Sequence, residues 1–202
     1  MSAVLETARR AIVRVGGGRG FVVEIPNALG GREKAIVTAA HCLPAIPPAH
    51  PVSYIHERTF ASLLGPLGAE PSYWAQCVFV DPIADLAVLA EPDGQELFDP
   101  WDAFNAWIEE LPALGIAQAV NGPAWRLSLA NEWVEGAIVG ARRGISAEWQ
   151  REVESGMSGS PIVQAGRAVG LVSVGNHFDP SLARGLPAWV FTEVQLSFLG
   201  DR

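Results

Sequence analysis

Short runs of Val, Ile and Leu, each closed by glycine or proline, divide this 202-residue chain almost from end to end. Runs of four to eight such residues between turn formers read as β-strands. Many of them in succession point to an all-β fold. In the first half the runs are AIVRV (11–15), GFVVEI (20–25), KAIVTAA (34–40), CVFVDP (77–82) and LAVLAEP (86–92). In the second they are IAQAV (116–120), WRLSLA (125–130), GAIVG (136–140), PIVQ (161–164), AVGLVSV (168–174) and AWVFTEV (188–194). Residues 2–9 suit a short helical lead-in, and 43–72 read as loops around one or two weak strands. One stretch differs. In DPWDAFNAWIEEL (99–111), Trp101, Phe104, Ile108 and Leu111 fall on one helix face. Asp99 suits an N-cap, with Pro100 following. The expected organisation is therefore a β-rich unit over 1–95, a linker helix over 96–112 and a second β-rich unit over 113–202.

Composition narrows the function classes. Hydrophobic residues make up 49% of the chain and charged ones 18%, which suits a packed core and not a disordered chain. The net charge of −8 argues against a nucleic-acid or anionic-membrane surface. The Arg142-Arg143 doublet reads as a solvated turn. The two cysteines, Cys42 and Cys77, form no CxxC or zinc-like pattern, so no metal or other cofactor is expected and both thiols are expected reduced. The N-terminus lacks the apolar core of a signal peptide, and no run approaches a membrane span. A soluble, cytoplasmic protein is the expectation. Five of the seven tryptophans lie between 101 and 149 and read as core.

One segment asks for a chemical explanation: ESGMSGSP, residues 154–161. Ser158 stands between glycines, where a backbone bends sharply or approaches a ligand. Gly/Ser/Pro clusters usually make plain turns. A nucleophilic serine additionally needs a histidine base and an acid to orient that histidine. Three chain orders are known for such triads. Ser…acid…His fails here, because His177 is the only histidine after Ser158 and no acid lies between them. Asp…His…Ser fails because the first aspartate, Asp81, follows His41, His50 and His56. His…Asp…Ser survives. His41 ends the apolar run IVTAAHC, at a sheet edge; a histidine there is more often structural than catalytic. Asp85 precedes an apolar strand, where its carboxylate needs a hydrogen-bond partner. The plain alternative, a strand-entry turn, suits Asp81-Pro82 better. The backbone N–H groups of Gly156 and Ser158 could together receive an oxyanion.

With these residues in view the chain resembles the trypsin/chymotrypsin-like serine endopeptidases. The resemblance rests on TAAHC around His41, D-x-A-x-L from Asp85 to Leu89, G-x-S-G-S-P around Ser158 and GLVSVG at 170–175. It runs in order over roughly residues 10–195. It implies two six-stranded antiparallel β-barrels with the site in the cleft between them. It also implies His41 as general base, Asp85 as orienting acid, Ser158 as nucleophile, and Gly156 and Ser158 as oxyanion donors. Ser173, Val174 and Gly175 would form an edge strand that takes the substrate backbone by β-addition. No cofactor is implied, and the partner is a protein or peptide substrate.

The departures from that pattern are specific. Met157 stands where digestive members keep an aspartate for a freed N-terminus, so activation by cleavage is not expected. Ser160 replaces a common second glycine. The pattern looks closer to bacterial high-temperature-requirement-type peptidases, with no PDZ domain before the chain ends at Arg202. By counting, Glu152 would fall in the specificity pocket, where an acid would favour basic side chains. Trp189 and His177 are alternative residues to fill or line it, His177 being either a contact for an acidic side chain or a plain loop histidine, and no substrate preference is assigned. Two alternatives share the fold. One is a catalytically silent binding module. The other is an effector that acts only when a partner orders the loops around 141–157.

Overall fold

The computed structural model describes residues 3–26, 31–48, 55–141, 144–173 and 178–190. Strands β1 (Ile12–Val15), β2 (Gly18–Pro26), β3 (Arg32–Thr38), β4 (Thr59–Pro66), β5 (Tyr73–Asp81) and β6 (Leu86–Ala90) close into an antiparallel barrel of order β1-β2-β3-β6-β5-β4. Its long hairpin pairs β2 with β3 from Gly20↔Thr38 to Pro26↔Arg32. Closure leaves the barrel without an unpaired edge. It also explains why most of the first-half runs are apolar along their whole length. One face of β2 looks into the barrel, and the second half packs over the strand, with the Leu114 N–H donating to the Val22 carbonyl (2.8 Å).

The second half carries β7 (Gly122–Leu127), β8 (Trp133–Gly140), β9 (Ser146–Trp149), β10 (Pro161–Gln164) and β11 (Arg167–Leu171), in the order β11-β10-β7-β8-β9. Two β-bridges, Ile145↔Asp179 and Gly170↔Ser181, tie residues 179–181 to both ends of this sheet. A short bridging segment thus stands where the sequence suggested a full sixth strand. AWVFTEV begins not as a strand but as the 3₁₀ turn Ala188–Val190, and its remainder, like Arg142 and Arg143, lies outside the described residues.

Two further expectations are corrected. IAQAV makes only one bridge, Ile116↔Ala168, because its backbone is satisfied elsewhere. The Gln164 side chain accepts from the Val120 N–H (3.1 Å) and donates to the Val120 carbonyl (2.9 Å), replacing a ladder with a side-chain clamp. The linker helix, α2 (Phe98–Glu109), starts two residues earlier than expected and has Leu97, not Asp99, at its N-cap. Asp99 lies in the first turn, where its charge still favours the positive end of the helix dipole. Phe104, Trp107 and Ile108 form its buried face. Trp107 stacks on Tyr73 of β5 with ring centroids 4.5 Å apart, which fastens the linker to the first barrel. A lead-in helix, α1 (Ala3–Arg10), precedes β1, and a single turn, α3 (Leu182–Gly185), follows the bridging segment. Among the described residues no helix is long and apolar enough to cross a membrane.

Arg19 of β2 holds the two halves together. Only 5% of its surface is exposed, and its guanidinium donates to the Leu127 carbonyl (2.9 Å) and the Ser128 carbonyl (3.0 Å) at the end of β7. Burial pushes its pKa below the ordinary guanidinium value. Among the described residues the desolvated charge is met by carbonyl dipoles and not by a carboxylate. Replacing it strands two buried carbonyls, whose lost bonds to a charged donor are worth roughly 1.5–3 kcal/mol each. Arg19→Ala is expected to lower the unfolding free energy by about 2–4 kcal/mol in urea titration, with Arg19→Lys recovering part of the loss.

Candidate active site

The sequence places His41 just past β3, and the fold turns it with a tight 3₁₀ element, Ala40–Cys42. Ala39 and Ala40 are fully buried, so only small side chains fit where the strand bends. Asp85 arrives from the opposite direction, through the turn between β5 and β6. Asp81 begins that turn, its Oδ1 accepting from the N–H groups of Ile83 and Ala84 (both 2.9 Å). Asp85 itself sits at φ +54°, a left-handed conformation that aspartate tolerates better than most residues. Such outliers cost on the order of 1–3 kcal/mol and persist where the surroundings fix them.

The surroundings here are three donors. The Asp85 carboxylate, in a residue 8% exposed, accepts from the His41 backbone N–H (3.0 Å), pairs with His41 Nδ1 (2.8 Å) and accepts from the Ser173 hydroxyl (2.5 Å). A carboxylate facing Nδ1 selects the tautomer protonated there, which leaves Nε2 as the acceptor. The His41 side chain is 43% exposed, so the free edge of the ring faces open space.

Ser158 lies on the facing segment. Its carbonyl accepts from the Arg19 N–H (2.8 Å) and lies 3.6 Å from Cys42 Sγ, next to His41. The local chain answers the question posed by ESGMSGSP, since two turns follow one another. The Met157 N–H donates to the Glu154 carbonyl (3.1 Å) with Gly156 at φ +97°, and the Ser160 N–H donates to the Met157 carbonyl (3.0 Å) with Gly159 at φ +80°. Each glycine holds the third turn position, where a type II turn demands positive φ. Among the described residues the Gly156 and Ser158 N–H groups have no hydrogen-bond partner, and no hydrogen bond joins the Ser158 hydroxyl to His41. Catalytic hydrogen bonds are often long before substrate binds. Met157 is 1% exposed and packs in the core of the second sheet. A charged residue would have to be neutralised at that position.

Two cysteine facts bear on the chemistry. Both thiols are free and buried. Burial pushes the Cys42 thiol up and Cys77 to about 11, so neither supplies a thiolate beside the serine.

Ser173 was expected only as part of a substrate-binding strand. Its hydroxyl is instead committed to Asp85, and its N–H donates to Asp179 Oδ1 (3.0 Å). Val174, Gly175 and His177 lie outside the described residues. Glu152 is exposed. Trp189 is 44% exposed and fills no buried space. Asp179 was not anticipated, because an aspartate before Pro180 reads as an ordinary turn. Among the described residues no group of three or more His, Cys, Asp and Glu is arranged to hold a metal.

No family model and no curated protein matches the chain. Solved structures do resemble it. The serine protease of a human pathogenic astrovirus superposes with a TM-score of 0.54 at 14% identity, covering 91% of this chain and 94% of that one. The fold is chymotrypsin-like. A glutamic acid-specific serine protease gives a TM-score of 0.48 at 14% identity over 86% of this chain and 92% of that one. The protease domain of the Sesbania mosaic virus polyprotein gives 0.46 at 13% over 80% and 79%.

Two tests probe this geometry. A Cβ on Gly159 would lie 1.9 Å from the Arg19 carbonyl oxygen, at a φ that L side chains rarely adopt. Gly159→Ala is expected to destabilise the protein by more than about 3 kcal/mol, read from its thermal midpoint. The second test uses pH. Burial raises the Asp179 pKa to about 6, against the ordinary value of 3.8. The folded state therefore holds this proton more tightly than the unfolded state, and stability falls as pH rises from about 4 to about 6. Asp179→Asn keeps an acceptor for Ser173. It is expected to be more stable than wild type by about 3 kcal/mol at pH 7, with the difference vanishing below pH 4.

Proposed function

We propose that the chain is a serine endopeptidase that cleaves protein or peptide substrates through an acyl-enzyme. The observation that carries this reading is the Asp85 carboxylate pinned by His41 and Ser173, facing a serine on a double turn with two unspent N–H groups. His41 Nε2 takes the proton of Ser158 Oγ as that oxygen attacks the scissile carbonyl carbon. The carbonyl π-bond opens, and the N–H groups of Gly156 and Ser158 receive the oxyanion. Imidazolium, held by Asp85, then returns the proton to the departing amine. Water, deprotonated by the same ring, releases the acyl group from Ser158. Ser173 keeps its carbonyl for a substrate strand, with Val174 and Gly175 extending that edge. In this reading the 1–95 unit brings the base and acid, and the 113–202 unit brings the nucleophile.

Two free buried cysteines support a reducing, intracellular setting. Buried Met157 supports a site that needs no freed N-terminus. A second reading is favoured by the missing hydrogen bond between Ser158 and His41: a site completed only when substrate or a protein partner orders the loop before Ser158.

Labelling with a fluorophosphonate separates the two. Stoichiometric modification of the folded protein, abolished by Ser158→Ala and reduced at least about 1000-fold by His41→Ala, is the expected result. No labelling of the folded protein would sink the constitutive reading and leave the partner-completed or silent form.

A further inference from the structure

Arg126 on β7 is the most deeply buried charge in the described residues, with 1% of its surface exposed. An isolated cation in such a place is costly unless paired and fully hydrogen-bonded. Here the pairing is incomplete. Nη2 donates to the Arg151 carbonyl, and the guanidinium lies over the Trp149 ring, 4.4 Å from its centroid. Nε and Nη1 are buried with no partner. The carboxylate that feels this charge is Asp179, but its Oδ1 is occupied by the Ser173 N–H, and no ion pair joins it to Arg126 among the described residues.

The surroundings of this cation point toward the reacting centre. Arg151, which takes its one hydrogen bond, opens the segment that runs through Gly156 to Ser158. Asp179, its electrostatic neighbour, is bonded to Ser173, whose hydroxyl holds Asp85. The guanidinium is thus bonded to the start of the segment that leads into Ser158 and coupled electrostatically to Asp179, one hydrogen bond from Ser173. One of the unused donors, Nε or Nη1, shares an edge with the second hydrogen of Nη2, and that edge matches a carboxylate bidentately. Glu152 and Glu154 project from the exposed side of the same segment and leave the buried cation unneutralised.

We infer that Arg126 is the specificity determinant of the site and receives the carboxylate of a glutamate or aspartate immediately before the scissile bond. This rests on the peptidase reading and names its substrate class. The incoming carboxylate supplies the anion that the fold withholds, and it takes the donors left by the Arg151 carbonyl. A basic side chain meets a like charge, and a neutral one leaves the donors unpaired, which recognition sites penalise heavily.

The test uses one peptide series varying only the residue before the cleaved bond: Glu, Gln, Leu and Lys. Turnover is measured on wild type, and binding of the same peptides by calorimetry on Ser158→Ala, which reads recognition without cleavage. The Glu peptide is expected to exceed the Gln and Leu peptides by on the order of 100-fold in kcat/KM and in affinity, with Lys poorest. Arg126→Met is expected to erase the preference, and Arg126→Lys to keep its sign at reduced size. A preference for Lys or Leu, equal binding of all four, or a Glu preference that survives Arg126→Met overturns the assignment. If Arg126→Met does not fold, wild type and Arg126→Lys decide. If fluorophosphonate fails to label Ser158, the constitutive peptidase reading falls while the binding series still decides the role of Arg126.

Discussion

A carboxylate removed from water has to be given donors, and Asp85 draws them from both halves of the molecule. Two come from His41 at the end of β3, and the third comes from Ser173 just past β11. This one group therefore registers the barrel against the second sheet. The left-handed backbone at Asp85, the buried alanines before His41 and the turn built on Asp81 all serve to bring that carboxylate to its place. A desolvated acceptor with three directional bonds is far less tolerant of displacement than apolar contact over the same area. The seam between the halves is thus located by hydrogen bonding and filled by hydrophobic packing.

Among the described residues two guanidinium groups are deeply buried in contrasting states, Arg19 at the seam and Arg126 within the second half. Arg19 is met by two main-chain carbonyls and acts as a tie. Arg126 is met by one carbonyl and an aromatic face, with donors to spare. Both charges survive burial because peptide dipoles and π electrons stand in for counter-ions. The difference between them is completeness, and incompleteness near a reacting centre is where ligand recognition is commonly built.

Much of this was legible in the sequence. The apolar runs located nine of the eleven strands because a strand buried on both faces writes its composition plainly, and β4 was expected only as a weak strand somewhere within 43–72. β9 (SAEW) escaped because a short, charged, half-exposed edge strand carries no such signature. IAQAV misled in the opposite way: its composition suits a strand, but it pairs only at Ile116 with Ala168, and the Gln164 side chain takes the backbone groups of Val120. Elimination of chain orders left His…Asp…Ser, and the resemblance of TAAHC, D-x-A-x-L and G-x-S-G-S-P to the endopeptidase pattern singled out His41, Asp85 and Ser158 within it. The partners of those residues did not stand out. Ser173 and Asp179 act through hydrogen bonds set by tertiary approach, and Arg126 reads in WRLSLA as a solvent-facing residue of an alternating strand. Only the fold turns that position inward.

Ser158 is encoded in the second half, yet its main chain is tied to the first. Its carbonyl bonds the Arg19 N–H, and the glycine after it lies so close to the Arg19 carbonyl that no side chain could intervene. Mechanically the serine is an honorary member of the barrel. Recombination between relatives cannot exchange one half at a time and keep the site, because the glycines after β1 and the turn around Ser158 are cut to a single shape. The two must be inherited together, although nearly 140 residues of chain separate Arg19 from Ser158.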